Sequence, residues 1–131
     1  MESDQRVQDI LLLGTQWPER ALLRAQLIEE GYEVVAVDRW PIPRLSRKRE
    51  MTPRLLIIDL HELPNPGKTL EEVRLLFSPD RVMVVTASGT LTSAELQQLG
   101  FHTIARPATV GEIVAEATRL LRAGPSSAPA R

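Results

Sequence analysis

The stretch LLIIDLHELPNPG, Leu55 to Gly67, decides the fold. Four large aliphatic residues run without alternation into Asp59, and Pro64, Asn65, Pro66 and Gly67 then interrupt the chain. A strand with one wet face alternates apolar and polar residues, whereas a strand covered on both faces does not. Leu55–Asp59 therefore reads as an inner strand of a parallel sheet with a carboxylate at its carboxyl end. Working outward, Asp9–Leu13 (DILLL) and Val82–Thr86 (VMVVT) repeat the pattern. Glu33–Val37 (EVVAV) reads as a fourth strand and His102–Ala105 (HTIA) as a fifth.

Helical patterns lie between the strands. Pro18 suits the first turn of a helix running to about Glu30, with Leu23, Leu27, Ala21, Ala25 and Ile28 as its apolar stripe and Gly31 as its stop. Three later segments open with one spelling: Thr69-x-x-Glu72, Thr92-x-x-Glu95 and Thr109-x-x-Glu112. In such a capping box the threonine oxygen accepts from the amide three residues on, and the glutamate accepts from the threonine amide. Gly100 closes the second of these helices. Ile113, Ala117, Leu120 and Leu121 put one apolar face on the last, and Gly124-Pro125 ends it. Arg39–Arg54 is the poor stretch. Pro41, Pro43 and Pro53 leave room for a short helix or a loop only.

Alternating strands and helices with doubly buried strands predict an α/β, doubly wound, five-stranded parallel sheet. The chain has 131 residues, one domain's worth by the guide of ~100–200 per domain. Residues 1–8 read as an N-terminal extension, 9–123 as the domain and 124–131 as a flexible tail. The chain has 43% hydrophobic and 25% charged residues, ordinary for a globular protein. With no cysteine and two histidines, disulfide frameworks, thiolate metal sites and zinc centres are disfavoured. The longest apolar runs are about four residues, against the ~20 of a spanning helix. MESDQRVQD lacks the pattern of a secretory signal, so a cytoplasmic protein without membrane contact is the expectation.

In open α/β sheets ligands bind beyond the carboxyl ends of the strands, where the strand order reverses. Gly14-Thr15, Asp59, Thr86 and Arg106-Pro107 follow four of the strands. There the sequence resembles the receiver domains of response regulators, over about Asp9 to Arg122. LLIIDLHELPNPG resembles the third strand and loop of receivers, which places Asp59 at the phospho-accepting position. VMVVTAS resembles the fourth strand, with Thr86 at the phosphoryl-contacting hydroxyl. In IARPATVGEIVAEATRLL, Arg106 and Pro107 stand where the family has a lysine and a proline that is often cis. The resemblance implies the flavodoxin-like strand order 2-1-3-4-5.

The departures point away from phosphoryl chemistry. Receivers bind Mg²⁺ through an acidic pair directly after the first strand, and Gly14 and Thr15 occupy those positions. Mg²⁺ needs oxygen ligands, usually including carboxylates, so weak or absent metal binding and no cofactor are expected. Arg106 keeps the lysine's charge with different reach and geometry. Thr103 stands at the position of the family's switch aromatic. The expectation is an atypical, pseudo-receiver signalling module that is not an enzyme and that binds a protein partner independently of phosphorylation. The partner face would be the last strand with Thr92–Leu99 and Val110–Arg122, and a homodimer is a further expectation.

Two alternatives stay open. In the first, Asp59 is a working phosphoacceptor with Thr86 and Arg106 in support. An acid from elsewhere, such as Glu19 or Glu62, reaching Asp59 across a metal would favour it. In the second, the basic run Arg39, Arg44, Arg47, Lys48, Arg49 and Arg54 binds nucleic acid or an acidic partner. Against Glu50 that run carries +5, while the whole chain is −1. A solvated, arginine-biased loop is the plainer reading of it.

Overall fold

The computed structural model describes residues 9–14, 19–37, 53–86 and 91–123. Among these residues are five strands: β1 (Ile10–Leu13), β2 (Val34–Val37), β3 (Leu55–Asp59), β4 (Val82–Val85) and β5 (His102–Ile104). They form one sheet in the order β2-β1-β3-β4-β5, with every pairing parallel. This is the expected doubly wound order. The strands match the sequence reading to within a residue at each end.

Among the described residues four α-helices connect or follow the strands: α1 (Glu19–Glu29), α2 (Pro66–Leu76), α3 (Ser93–Gln98) and α4 (Val110–Ala123). Side chains of successive strand residues point to opposite faces, so each inner strand feeds two cores. On one face Ile10, Leu12, Leu55, Ile57, Met83 and Val85 pack with Leu23 and Leu27 of α1 and Ile113, Val114, Ala117 and Leu121 of α4. On the other, Leu11, Leu13, Leu56, Ile58, Val82 and Val84 pack with Leu70 and Val73 of α2, Leu96 of α3, and Phe77 and Phe101. β1, β3 and β4 are buried at every position, which is why their sequences show no alternation.

The helix boundaries correct two expectations. The Thr69–Glu72 capping box does not form. Asn65 caps α2 instead, its Oδ1 accepting from Lys68 N at 3.3 Å, with Pro66 in the first turn. Asparagine is a strong cap and proline is pre-set for the first turn, so the earlier start wins. Thr69 then falls in the second turn and is buried. The boxes at Thr92–Glu95 and Thr109–Glu112 do form, each with both reciprocal bonds. On α1, Leu23 and Leu27 are buried, whereas Ala21, Ala25 and Ile28 are exposed. The helix carries two apolar stripes, and the leucine pair, with more area to bury, faces the sheet. On α4, Ile113, Ala117 and Leu121 are buried and Leu120 is partly so.

Candidate functional site at the carboxyl ends of β1 and β3

Strand order reverses at β1, which has β2 on one side and β3 on the other, so chain connections leave to opposite faces there. Asp59 ends β3 at this point and is 1% exposed. Both of its carboxylate oxygens are engaged. Oδ1 accepts from the backbone N–H of His61 at 2.9 Å, and Oδ2 accepts from Arg106 Nη2 at 2.5 Å. The bond from His61 makes Asp59 the cap of the 3-10 turn Leu60–Glu62, so the carboxylate is tied to its own loop.

Arg106 comes from the loop after β5 and reaches a second acid. Its Nη2 donates to Glu19 Oε1 at 2.7 Å and its Nη1 to Glu19 Oε2 at 3.3 Å. Glu19 is the first residue of α1, where the helix dipole favours a carboxylate. The guanidinium is thus a bridge between Glu19 and Asp59, two residues 40 apart in sequence on different elements. Its bonds to Glu19, then those to Asp59, raise the Arg106 pKa above even its ordinary range, against the opposing effect of partial burial. Arg106 is a fixed cation at any ordinary pH. The peptide bond from Arg106 to Pro107 is cis.

Gly14 follows β1 and has φ +86°, a conformation that side chains disfavour. A Cβ here would lie 2.6 Å from the backbone oxygen of Asp59. The glycine therefore lets the β1 loop press against the end of β3. No aspartate or glutamate can replace it without moving one of the two backbones. Thr86 lies one residue beyond β4, whose Val85 is in register with Asp59. It is buried, and its N–H donates to Ile104 O at 3.0 Å. Thr103, in β5, accepts from Gln97 Nε2 of α3 at 3.2 Å, which ties helix to strand.

The other sequence candidates are scattered or out of view. Thr15, Arg39, Arg44, Arg47, Lys48 and Arg49 lie outside the described residues, as does the Glu62 side chain. Arg54 sits at the opposite, amino-terminal end of the sheet. It donates to Asp9 Oδ1 and to Leu121 O, both at 3.2 Å, so it is a structural contact and not an unengaged surface cation. Sequence reasoning raised Glu19 only as an acid that could reach Asp59 across a metal, and did not otherwise assign it to the site. Glu19 reaches Asp59 through Arg106, with no need of a metal. Its one sequence signal is an acid at the predicted start of the helix after β1.

The receiver resemblance implies Mg²⁺, and the donor set here does not fit it. Gly14 brings no side-chain oxygen, and the carboxylates of Asp59 and Glu19 are already held by Arg106. Among the described residues no three His, Cys, Asp or Glu side chains gather as a metal site.

No family model matches the chain, and no curated protein matches its sequence. Solved structures match its fold. One is a response regulator from Desulfuromonas acetoxidans, at 22% identity and TM-score 0.66, covering 90% of this chain and 99% of that one. A second is the signal receiver domain of a putative Luxo repressor protein from Vibrio parahaemolyticus, at 19% identity and TM-score 0.68, covering 89% and 92%. A third is described as an adenylate cyclase from Rhodopirellula baltica, at 19% identity and TM-score 0.69, covering 88% of each chain. The chain therefore has the receiver, flavodoxin-like fold. No helix among the described residues is long and apolar enough to cross a membrane.

Proposed function

We propose that residues 9–123 form a receiver-type signalling module that acts by binding a protein partner, and that Asp59 serves it as a structural carboxylate and not as a phosphoacceptor. One observation carries this reading: Arg106 bridges Asp59 and Glu19 across the site. Attack by Asp59 on a phosphoryl donor needs a free oxygen and a cation to neutralise the incoming charge. Here one oxygen holds the His61 amide and the other holds Arg106. The Gly14 backbone closes the β1 side, where a second acid would have to stand.

The partner face we propose is β5 with the flanking helices α3 and α4. The Thr103–Gln97 bond supports a face held in one arrangement, where a rotating aromatic side chain would give two. The adenylate cyclase description belongs to the Rhodopirellula protein. No catalytic role is proposed for this chain.

The phosphoacceptor alternative has its own support, because Asp59 ends β3 and Thr86 follows β4 beside it, as the receiver resemblance would have them. Incubation with acetyl phosphate and Mg²⁺ followed by intact-mass measurement separates the two. The structural reading expects an unchanged mass. A phosphoryl adduct that disappears in Asp59→Asn would overturn it.

A further inference from the structure

We infer that Arg106 is the resident cation of this site, its guanidinium holding the place a divalent ion would take beside Asp59, and that Glu19 is the positioning residue that keeps it there. The inference rests on the proposed reading of Asp59 as a structural carboxylate, and its test is separate from the phosphorylation test.

Asp59, a carboxylate that is 1% exposed, is costly to bury unless an opposite charge and hydrogen bonds stand beside it. The His61 amide supplies one bond and no net charge. The charge comes from Arg106, whose side chain is 28% exposed and could otherwise turn toward water. Glu19 prevents that. Its two oxygens take one N–H from each Nη of the guanidinium, a planar fork that fixes the orientation of the group. Nη2 carries two hydrogens, and it donates to Glu19 and to Asp59 together. The guanidinium cannot rotate without losing a bond to each acid. A lysine at position 106 has no such fork, so Glu19 and the arginine act as one device. The Nε of Arg106 is buried without a hydrogen-bond partner among the described residues, so the whole grip is made through the Nη edge.

Two measurements test this. In ¹⁵N-labelled protein a guanidinium held by two acids gives separate, slowly exchanging Nη signals, while a rotating one gives a single averaged signal. The native chain is expected to show resolved Arg106 signals, and Glu19→Ala is expected to collapse them. Resolved signals that persist in Glu19→Ala would remove Glu19 from the role. The second measurement is Mn²⁺ titration, read as broadening of the amides of Ile58, Leu60 and His61. The native chain is expected to show none. Arg106→Met, folded by circular dichroism, is expected to gain broadening at these amides, because two carboxylates then lack their cation. Site-specific broadening of the native chain, or a folded Arg106→Met that stays sharp, would overturn the inference. If Arg106→Met does not fold, the native titration and the Glu19→Ala spectrum decide alone. Phosphorylation of a chain with a locked Arg106 would sink the proposed function and leave this inference standing. An unlocked Arg106 in a chain that takes no phosphoryl group would do the reverse.

Discussion

The two ends of the sheet use the same device in different surroundings. At the carboxyl end Arg106 joins the β5 loop to Asp59 of β3 and Glu19 of α1. At the amino end Arg54 joins the start of β3 to Asp9, just before β1, and to the Leu121 carbonyl in the last turn of α4. Asp9 also accepts from Glu33 N at 2.8 Å, which draws in β2. Each arginine thus ties strands to a helix that the sequence places far away. They differ in burial. Arg54 is 50% exposed and Asp9 21%, whereas the Asp59 side chain is 2% exposed. Water can replace Arg54 when it is removed. It cannot readily reach Asp59. The value of an ion pair is set by what its loss leaves behind, more than by the number of bonds it makes.

Substitution at Arg106 should cost the most. Arg106→Ala strands a buried carboxylate, and urea unfolding at neutral pH should show a loss of about 3 kcal/mol, in the range for breaking a buried pair. Pairing it with Asp59→Asn removes the stranded charge and should recover more than half of that loss. A double variant no more stable than Arg106→Ala would show that burial of Asp59 is not the cause.

Next comes Gly14→Ala. The positive φ and the 2.6 Å approach to the Asp59 backbone oxygen together predict about 2 kcal/mol of destabilisation. A neutral result would mean that the two backbones can part at little cost. At the amino end, Arg54→Ala should lose no more than about 1 kcal/mol, because the pair is solvent-screened, and the loss should shrink in high salt. A loss equal to that of Arg106→Ala would erase the difference between the two ends.

The smallest effect concerns Glu116 and Arg119, one turn apart on α4. The bond from Arg119 lowers the Glu116 pKa, with Arg119's charge adding to it against partial burial. A lowered folded-state pKa gives stability that is present above the unfolded value and is lost as pH falls through the folded one. Glu116→Gln should therefore cost about 0.3–0.5 kcal/mol at neutral pH and nothing at strongly acidic pH, measured by thermal unfolding.

Legibility in the sequence follows how local each cause is. The strands were readable because double burial removes alternation, and Ile10–Leu13, Leu55–Asp59 and Val82–Val85 carry that mark in themselves. Two of the three capping boxes were readable because the bonds span three residues. At Thr69 the box does not form, because Asn65-Pro66 starts the helix one turn earlier. The α1 stripe failed for a related reason. Periodicity shows that Ala21, Ala25 and Ile28 share a face, and packing alone chooses between that face and Leu23–Leu27.

The order of elements, the parallel sheet and the presence of Asp59, Thr86 and Arg106 at strand ends are written in the chain, because each depends on residues near one another in it. Tertiary structure alone decided that Glu19 would meet Arg106, 87 residues away, and that Gly14 would abut Asp59. An acid at a helix start and a glycine after a strand do not say in the sequence what each will touch. Whether a carboxylate is reactive or structural depends on the charges and backbone that reach it through space, and folding alone brings those together.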